Sequence, residues 1–198
     1  MNANLLGPAA PGFDQPLELL EACHGRIGKQ CATLERLLAG LSHKGTPIRY
    51  GLKPVRNRMS QHGCDAQAMQ AARAILNYFD SAAVHHHDDE ERNLFPLIQK
   101  AGKGEALDLC DLVERLTSEH DDLALLWRGL RPALQALAEG QTAALDQAKA
   151  QRFIELNRSH LAFENERLLP LARRLLQAAD LERLGRAMAA RRDVPYTR

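Results

Sequence analysis

The 198-residue sequence lacks several things, and each absence excludes a class of protein. There is no excess of one charge. With 26 Lys and Arg against 25 Asp and Glu, the formal net charge is +1, so no global field draws the chain to nucleic acid or to an anionic membrane. No apolar run approaches the roughly 18 residues of a spanning helix, which excludes an α-helical membrane protein. The four cysteines, Cys23, Cys31, Cys64 and Cys110, contain no Cys-x-x-Cys pair and are too sparse for a disulfide scaffold, a usage that fits a reducing compartment. The opening MNANLLGPAAPGF has neither a basic stretch nor a long apolar one, so it does not read as a secretory signal, and the expected location is the cytoplasm. β-branched residues are few, and no stretch alternates as a strand would.

What is present is Ala, Leu, Glu, Gln and Arg in long segments punctuated by glycine and proline, and this predicts an all-α chain. Residues 1–15 read as an irregular lead-in and 16–198 as one helical domain. Apolar spacing predicts four long helices at about 16–41, 65–99, 104–139 and 142–177, and a short fifth one from about 180 to 191 with Asp180 as its N-cap. Between the first two lies a loop, 42–64, with Gly45, Pro47, Gly51, Pro54 and Gly63 and no regular period. Four long amphipathic helices joined mostly by short turns predict an up-down-up-down four-helix bundle.

Each apolar stripe is interrupted by one histidine. The first helix carries His24 between Leu20 and Ile27, the second His86 after Ala83, the third His120 between Leu116 and Leu123, and the fourth His160 in the series Phe153, Leu156, Leu168, Leu171, Leu175. At 1.5 Å per residue, the four histidines fall at about one level of an up-down bundle. The second and fourth helices add a glutamate one turn later on the same face, His86-x-x-x-Glu90 and His160-x-x-x-Glu164. Buried carboxylates cost several kcal/mol each unless compensated, and no Lys or Arg shares the stripe nearby, so a bound dication is the natural counter-charge. Mixed imidazole and carboxylate donors suit iron, manganese or zinc, and six donors are too many for one tetrahedral zinc. Two ions with bridging glutamates and an oxo or hydroxo bridge would fill about ten of twelve octahedral positions, leaving one position per ion for a small ligand. The two ligand-pair segments also echo one another, with a leucine four residues after each glutamate and a proline six after it, Pro96 and Pro170; each proline is expected to free a backbone carbonyl and kink its helix.

The ordered set His24, HHDDEERNLFP with His86 and Glu90, SEHDD with His120, and HLAFENERLLP with His160 and Glu164 resembles the hemerythrin-like HHE cation-binding family. The resemblance covers roughly Leu17 to Gln177. It implies a non-haem di-iron centre ligated by His24, His86, Glu90, His120, His160 and Glu164, and O2, nitric oxide or peroxide as the small-molecule ligand. True hemerythrins carry a further histidine on the third helix and end on an aspartate. Ala124 and Glu164 stand at those places here, so the set is more similar to the HHE domains of iron-centre repair proteins and of iron or oxygen sensors.

Other features read more plainly. Lys44, Arg49, Lys53, Arg56 and Arg58 make the long loop basic, which reads as a solvated loop or as a dock for an acidic or phosphate-bearing partner. Tyr50, His43 and His62 in that loop are candidates to cap the open metal positions. His85, His87, Asp88, Glu91 and Glu119 point off the stripe and default to a solvated face, with hydrogen bonding to the ligands as the functional option for His87 and Glu119. Cys31 reads as a small buried hydrophobe before it reads as a redox group. Sensing, stress protection and iron handling are the expected roles; an iron donor for damaged iron centres and a metal-free helical adaptor are the alternatives.

Overall fold

The computed structural model describes residues 11–43, 66–103, 106–141 and 144–197. These residues are helical almost throughout, with no strand among them. The helices are α1 (Pro16–His43), α2 (Ala66–Asn77), α3 (Ala83–Asp89), α4 (Phe95–Ala101), α5 (Ala106–Ala138), α6 (Gln147–Phe163), α7 (Leu169–Leu175) and α8 (Ala178–Arg191). Three π turns, Tyr78–Ala82, Glu90–Leu94 and Glu164–Leu168, join α2 to α3, α3 to α4 and α6 to α7 with backbone that stays helical. No helix among the described residues is long and apolar enough to cross a membrane. The expected loop roles of Lys44, Arg49, Tyr50, Lys53, Arg56, Arg58 and His62, and of the His43 side chain, lie outside the described residues.

Several expected boundaries move, each for a local reason. The first helix runs two residues beyond 41, to His43. The fourth begins at Gln147 rather than near 142, because the Asp146 carboxylate accepts the Lys149 backbone N–H at 2.9 Å and so caps the helix there. The last helix begins at Ala178: its N-cap is Gln177, and Asp180 is instead the third helical residue of a capping box, accepting the Gln177 N–H. Gly140 follows α5 with φ of +79°, a conformation that L side chains rarely adopt.

The π turns change the buried stripe as well as the hydrogen bonds. Phe95 N–H donates to Glu90 O and Leu169 N–H to Glu164 O, five residues back, so each turn absorbs one extra residue. After Glu164, strict helical spacing places Leu171 and Leu175 in the core; the structure buries Leu168, Leu169, Ala172 and Leu176 and leaves Leu171 and Leu175 half-buried. Pro96 and Pro170, where kinks are expected, sit in the first turn of α4 and α7, directly after these widened turns.

The chain contacts group into two compact units. The first is drawn from Met1–Arg26, Ala83–Ser118 and His160–Arg198, the second from Ile27–Ala82 and Glu119–Ser159. The first has a continuous apolar core in which Leu20, Leu94, Ile98, Leu116, Leu168, Leu184 and Met188 are fully buried. Fully burying one such side chain is worth about 1.5–3 kcal/mol. The lead-in joins this unit: a Cβ at Gly185 of α8 would collide with the Phe13 carbonyl, so only glycine lets the chain lie so close. In the second unit Phe79, Trp127 and Phe153 pack in tilted and edge-to-face contacts with centroids 5.0–5.8 Å apart. The Trp127 indole N–H and Arg131 both donate to Asp80. Cys31, in this unit, is fully buried and its thiol is pushed up to about 12 by that burial, so it packs as a small hydrophobe rather than as a redox group.

Candidate metal centre

The six candidate ligands are all buried: His86, Glu90 and Glu164 at 0% exposure, His160 at 1%, His120 at 3% and His24 at 4%. Five of them, from α1, α3, α6 and two π turns, belong to the first unit. Each His-x-x-x-Glu pair spans the end of an α-helix and the first residue of a π turn, so one helical turn stacks imidazole and carboxylate. His86 Nε2 lies 3.5 Å from Glu90 Oε1, and His160 Nε2 lies 3.2 Å from Glu164 Oε1. His24 faces both pairs, with its Nε2 3.3 Å from Glu164 Oε2 and 3.9 Å from Glu90 Oε1.

Two donors each about 2.1 Å from one ion and about 90° apart stand about 3 Å from each other, so separations of this size are those of donors able to share an ion. The ligand atoms of His24, His86, Glu90 and Glu164 all lie within 4.8 Å of one another, and those of Glu90, His160 and Glu164 do the same. Both glutamates belong to both sets. Glu164 in particular turns one oxygen to His160 and the other to His24. His120 is buried on α5, in the second unit, two residues past the part of that helix assigned to the first.

The electrostatics show what the pocket requires. Burial pushes the Glu164 carboxyl above its ordinary range, the Glu90 charge pushes it further, and His160 and His24 only partly oppose this. Burial alone would lower His24, but Glu90 and Glu164 outweigh it and raise the imidazole above its ordinary value. His24 Nδ1 bonds to Asn165 Oδ1 at 2.7 Å, so this nitrogen carries the proton. His24 Nε2 is buried facing both carboxylates, and once it gives up its proton its lone pair points at the same space. A divalent cation meets both conditions, as counter-charge for two buried glutamates and as acceptor of that lone pair, and the donor set therefore fits the iron expected from the sequence.

A family model for the hemerythrin HHE cation-binding domain matches residues 15–172. The chain belongs to the hemerythrin HHE family. An uncharacterized protein of Haemophilus influenzae is 30% identical over 182 residues, 92% of each chain. The matched span of this HHE chain holds all six candidate ligands and their supporting residues except those of α8.

Two supporting groups escape sequence reasoning. Asn165 orients His24, yet it sits one residue off the stripe in a π turn. Asp89, next to Glu90, is fully buried and held by Arg191 and by Arg192 at 2.7 Å, while Arg191 also donates to Asn93 at 2.7 Å. Burial still raises the Asp89 carboxyl above its ordinary range against the pull of both arginines. Asp88, expected on a solvated face, pairs with Arg92 at 2.9 Å. The only hint in the sequence is the doubled Arg191-Arg192 at the end of the last helix, and no spacing rule connects it with Asp89.

Proposed function

We propose that this HHE chain is a non-haem di-iron protein whose four ligand helices form an up-down-up-down bundle, and that it binds or reacts with O2, nitric oxide or peroxide in sensing, stress protection or iron handling. The observation that carries the reading is Glu164, fully buried with one carboxylate oxygen facing His160 and the other facing His24. His24, His86, Glu90, His120, His160 and Glu164 would hold the two ions. His120, buried on α5, is the sixth donor in this reading. Manganese and zinc accept the same donors, and iron is preferred for the chemistry it supplies: reversible binding or one-electron reduction of a diatomic or peroxide ligand.

The protein's own part is positional. Asn165 keeps Nε2 of His24 as the donating nitrogen, the two π turns aim Glu90 and Glu164 at the same space, and the apolar core around Leu20, Leu94 and Leu168 keeps bulk water out. Six protein donors cannot saturate two six-coordinate ions even when both carboxylates bridge, so positions remain for a small ligand.

Anaerobic loading of the metal-free chain with ferrous iron, followed by removal of the excess, is expected to leave two irons per chain. His86→Ala and Glu164→Ala are each expected to lose this stoichiometry. No iron, a single tightly held zinc, or two irons retained in either variant sinks the reading.

A further inference from the structure

His87 follows a ligand in sequence and was expected on a solvated face. Consecutive helical residues point about 100° apart, and His86 already points at Glu90 and His24. Yet His87 is only half-exposed, and its ring lies on His160: the centroids are 6.1 Å apart and nearly perpendicular, while His86 is 5.7 Å away. A ligand nitrogen of His87 lies within 4.8 Å of one of His160. Two nitrogens on a single ion at about 2.1 Å stand about 3 Å apart when adjacent and about 4 Å when opposite, so a small side-chain rotation suffices. The neighbouring side chains do not share this placement. Asp88 pairs with Arg92, and neither Asp88 nor Glu91 belongs to a group of clustered ligand atoms among the described residues.

We propose that His87 is a seventh, exchangeable metal ligand on the His160 side of the centre, occupying a position that a small anion or diatomic molecule must compete for. This rests on the di-metal reading above. It makes the two ions unequal. Among the described residues, the ligand atoms of His87 cluster with those of His160 and form no such group with His24 or His86. The imidazole binds as a neutral donor by displacing solvent and leaves when the competitor arrives, so no redox or covalent step is involved.

Cobalt(II) loaded into the metal-free full chain tests this, because its visible absorption responds to the number and kind of its ligands whatever the protein's activity. Wild type, His87→Ala and His87→Gln should all bind two cobalt ions per chain, with the second held about tenfold more weakly in both variants. Their spectra should differ from wild type, and millimolar imidazole should restore the wild-type spectrum in His87→Ala while leaving wild type unchanged. Azide should perturb the variant spectra at about tenfold lower concentration, since its competitor is gone. Variant spectra that superimpose on the wild type, or that imidazole does not change, overturn the proposal while leaving two-metal binding intact. Failure of wild type itself to take up two ions overturns both readings, and so separates the two failures.

Discussion

The two ligand-pair segments, His86 to Pro96 and His160 to Pro170, share their histidine and glutamate, their π turn and their proline, and differ in the residues on either side of the glutamate. In both, the glutamate opens a π turn and the proline enters the first turn of the next helix. The residue before the glutamate differs: Asp89, buried between Arg191 and Arg192, against Phe163, half-buried beneath the Arg115 guanidinium at 3.8 Å. The residue after it differs too, Glu91 against the Asn165 that holds His24. The ligand chemistry is repeated, while each copy is anchored by its own device, a buried ionic clamp in one and a histidine-orienting amide in the other.

The largest expected break in this comparison comes from the clamp. Replacing Arg191 and Arg192 together by alanine leaves the Asp89 charge buried and uncompensated, which should cost about 3–5 kcal/mol of unfolding free energy. Arg115→Ala, the matching change in the second copy, should cost about 0.5–1 kcal/mol. Denaturant unfolding of the metal-free proteins measures both, and equal losses would show that the copies are anchored alike. Next in size is Asn165→Ala. It should weaken iron binding about 10–100-fold in competition with a chelator, because His24 loses its fixed tautomer, whereas Glu91→Ala at the matching position should leave affinity unchanged. Equal affinity in the two variants would remove Asn165 from its positioning role.

What was legible in the sequence follows the same division. His24, His86, Glu90, His120, His160 and Glu164 stand out because each interrupts an apolar stripe, and a polar residue where a core residue belongs is conspicuous in one dimension. Asn165 and Asp89 are invisible by that rule: each lies one residue from a glutamate, about 100° around an ideal helix, where surface is expected. Asp89 is buried only because α8 returns to cover it from 102 residues away. The helical class was legible from composition, but the register beyond Glu164 was not. A π turn inserts one residue without altering the local pattern, and so Ala172 and Leu176 took the core places expected for Leu171 and Leu175.

A smaller effect concerns the charge that both copies bury together. In the metal-free chain, Glu164 has its value raised above 4.5 and His24 above 6.5. A raised carboxyl contributes fully below its unfolded value and loses that contribution as pH climbs through the folded one. The raised imidazole acts in the same direction from its own starting point. The metal-free protein should therefore melt at progressively lower temperature from about pH 5 to about pH 8, and Glu164→Gln should flatten the trend. Iron must displace these protons, so the increase in melting temperature on adding ferrous iron should grow over the same range. A metal-free melting temperature that rises with pH would contradict the burial of this pair.

The smallest effect is expected at the prolines, where the two copies should again behave as one. Phe95 and Leu169 already reach back five residues, so the hydrogen-bond ladder changes spacing just before each proline, and the missing N–H falls where one bond is being lost anyway. The turns are held open by the buried positions that follow them, Leu97 and Ile98 in one copy and Ala172 and Leu176 in the other, more than by the pyrrolidine ring. Pro96→Ala and Pro170→Ala should then each cost only about 0.4–1 kcal/mol, mainly through the freer unfolded chain, and both variants should still take up two irons. If Pro170→Ala alone loses iron, the ring is holding Glu164 between His160 and His24, and the second copy would depend on its proline in a way the first, clamped by α8, does not.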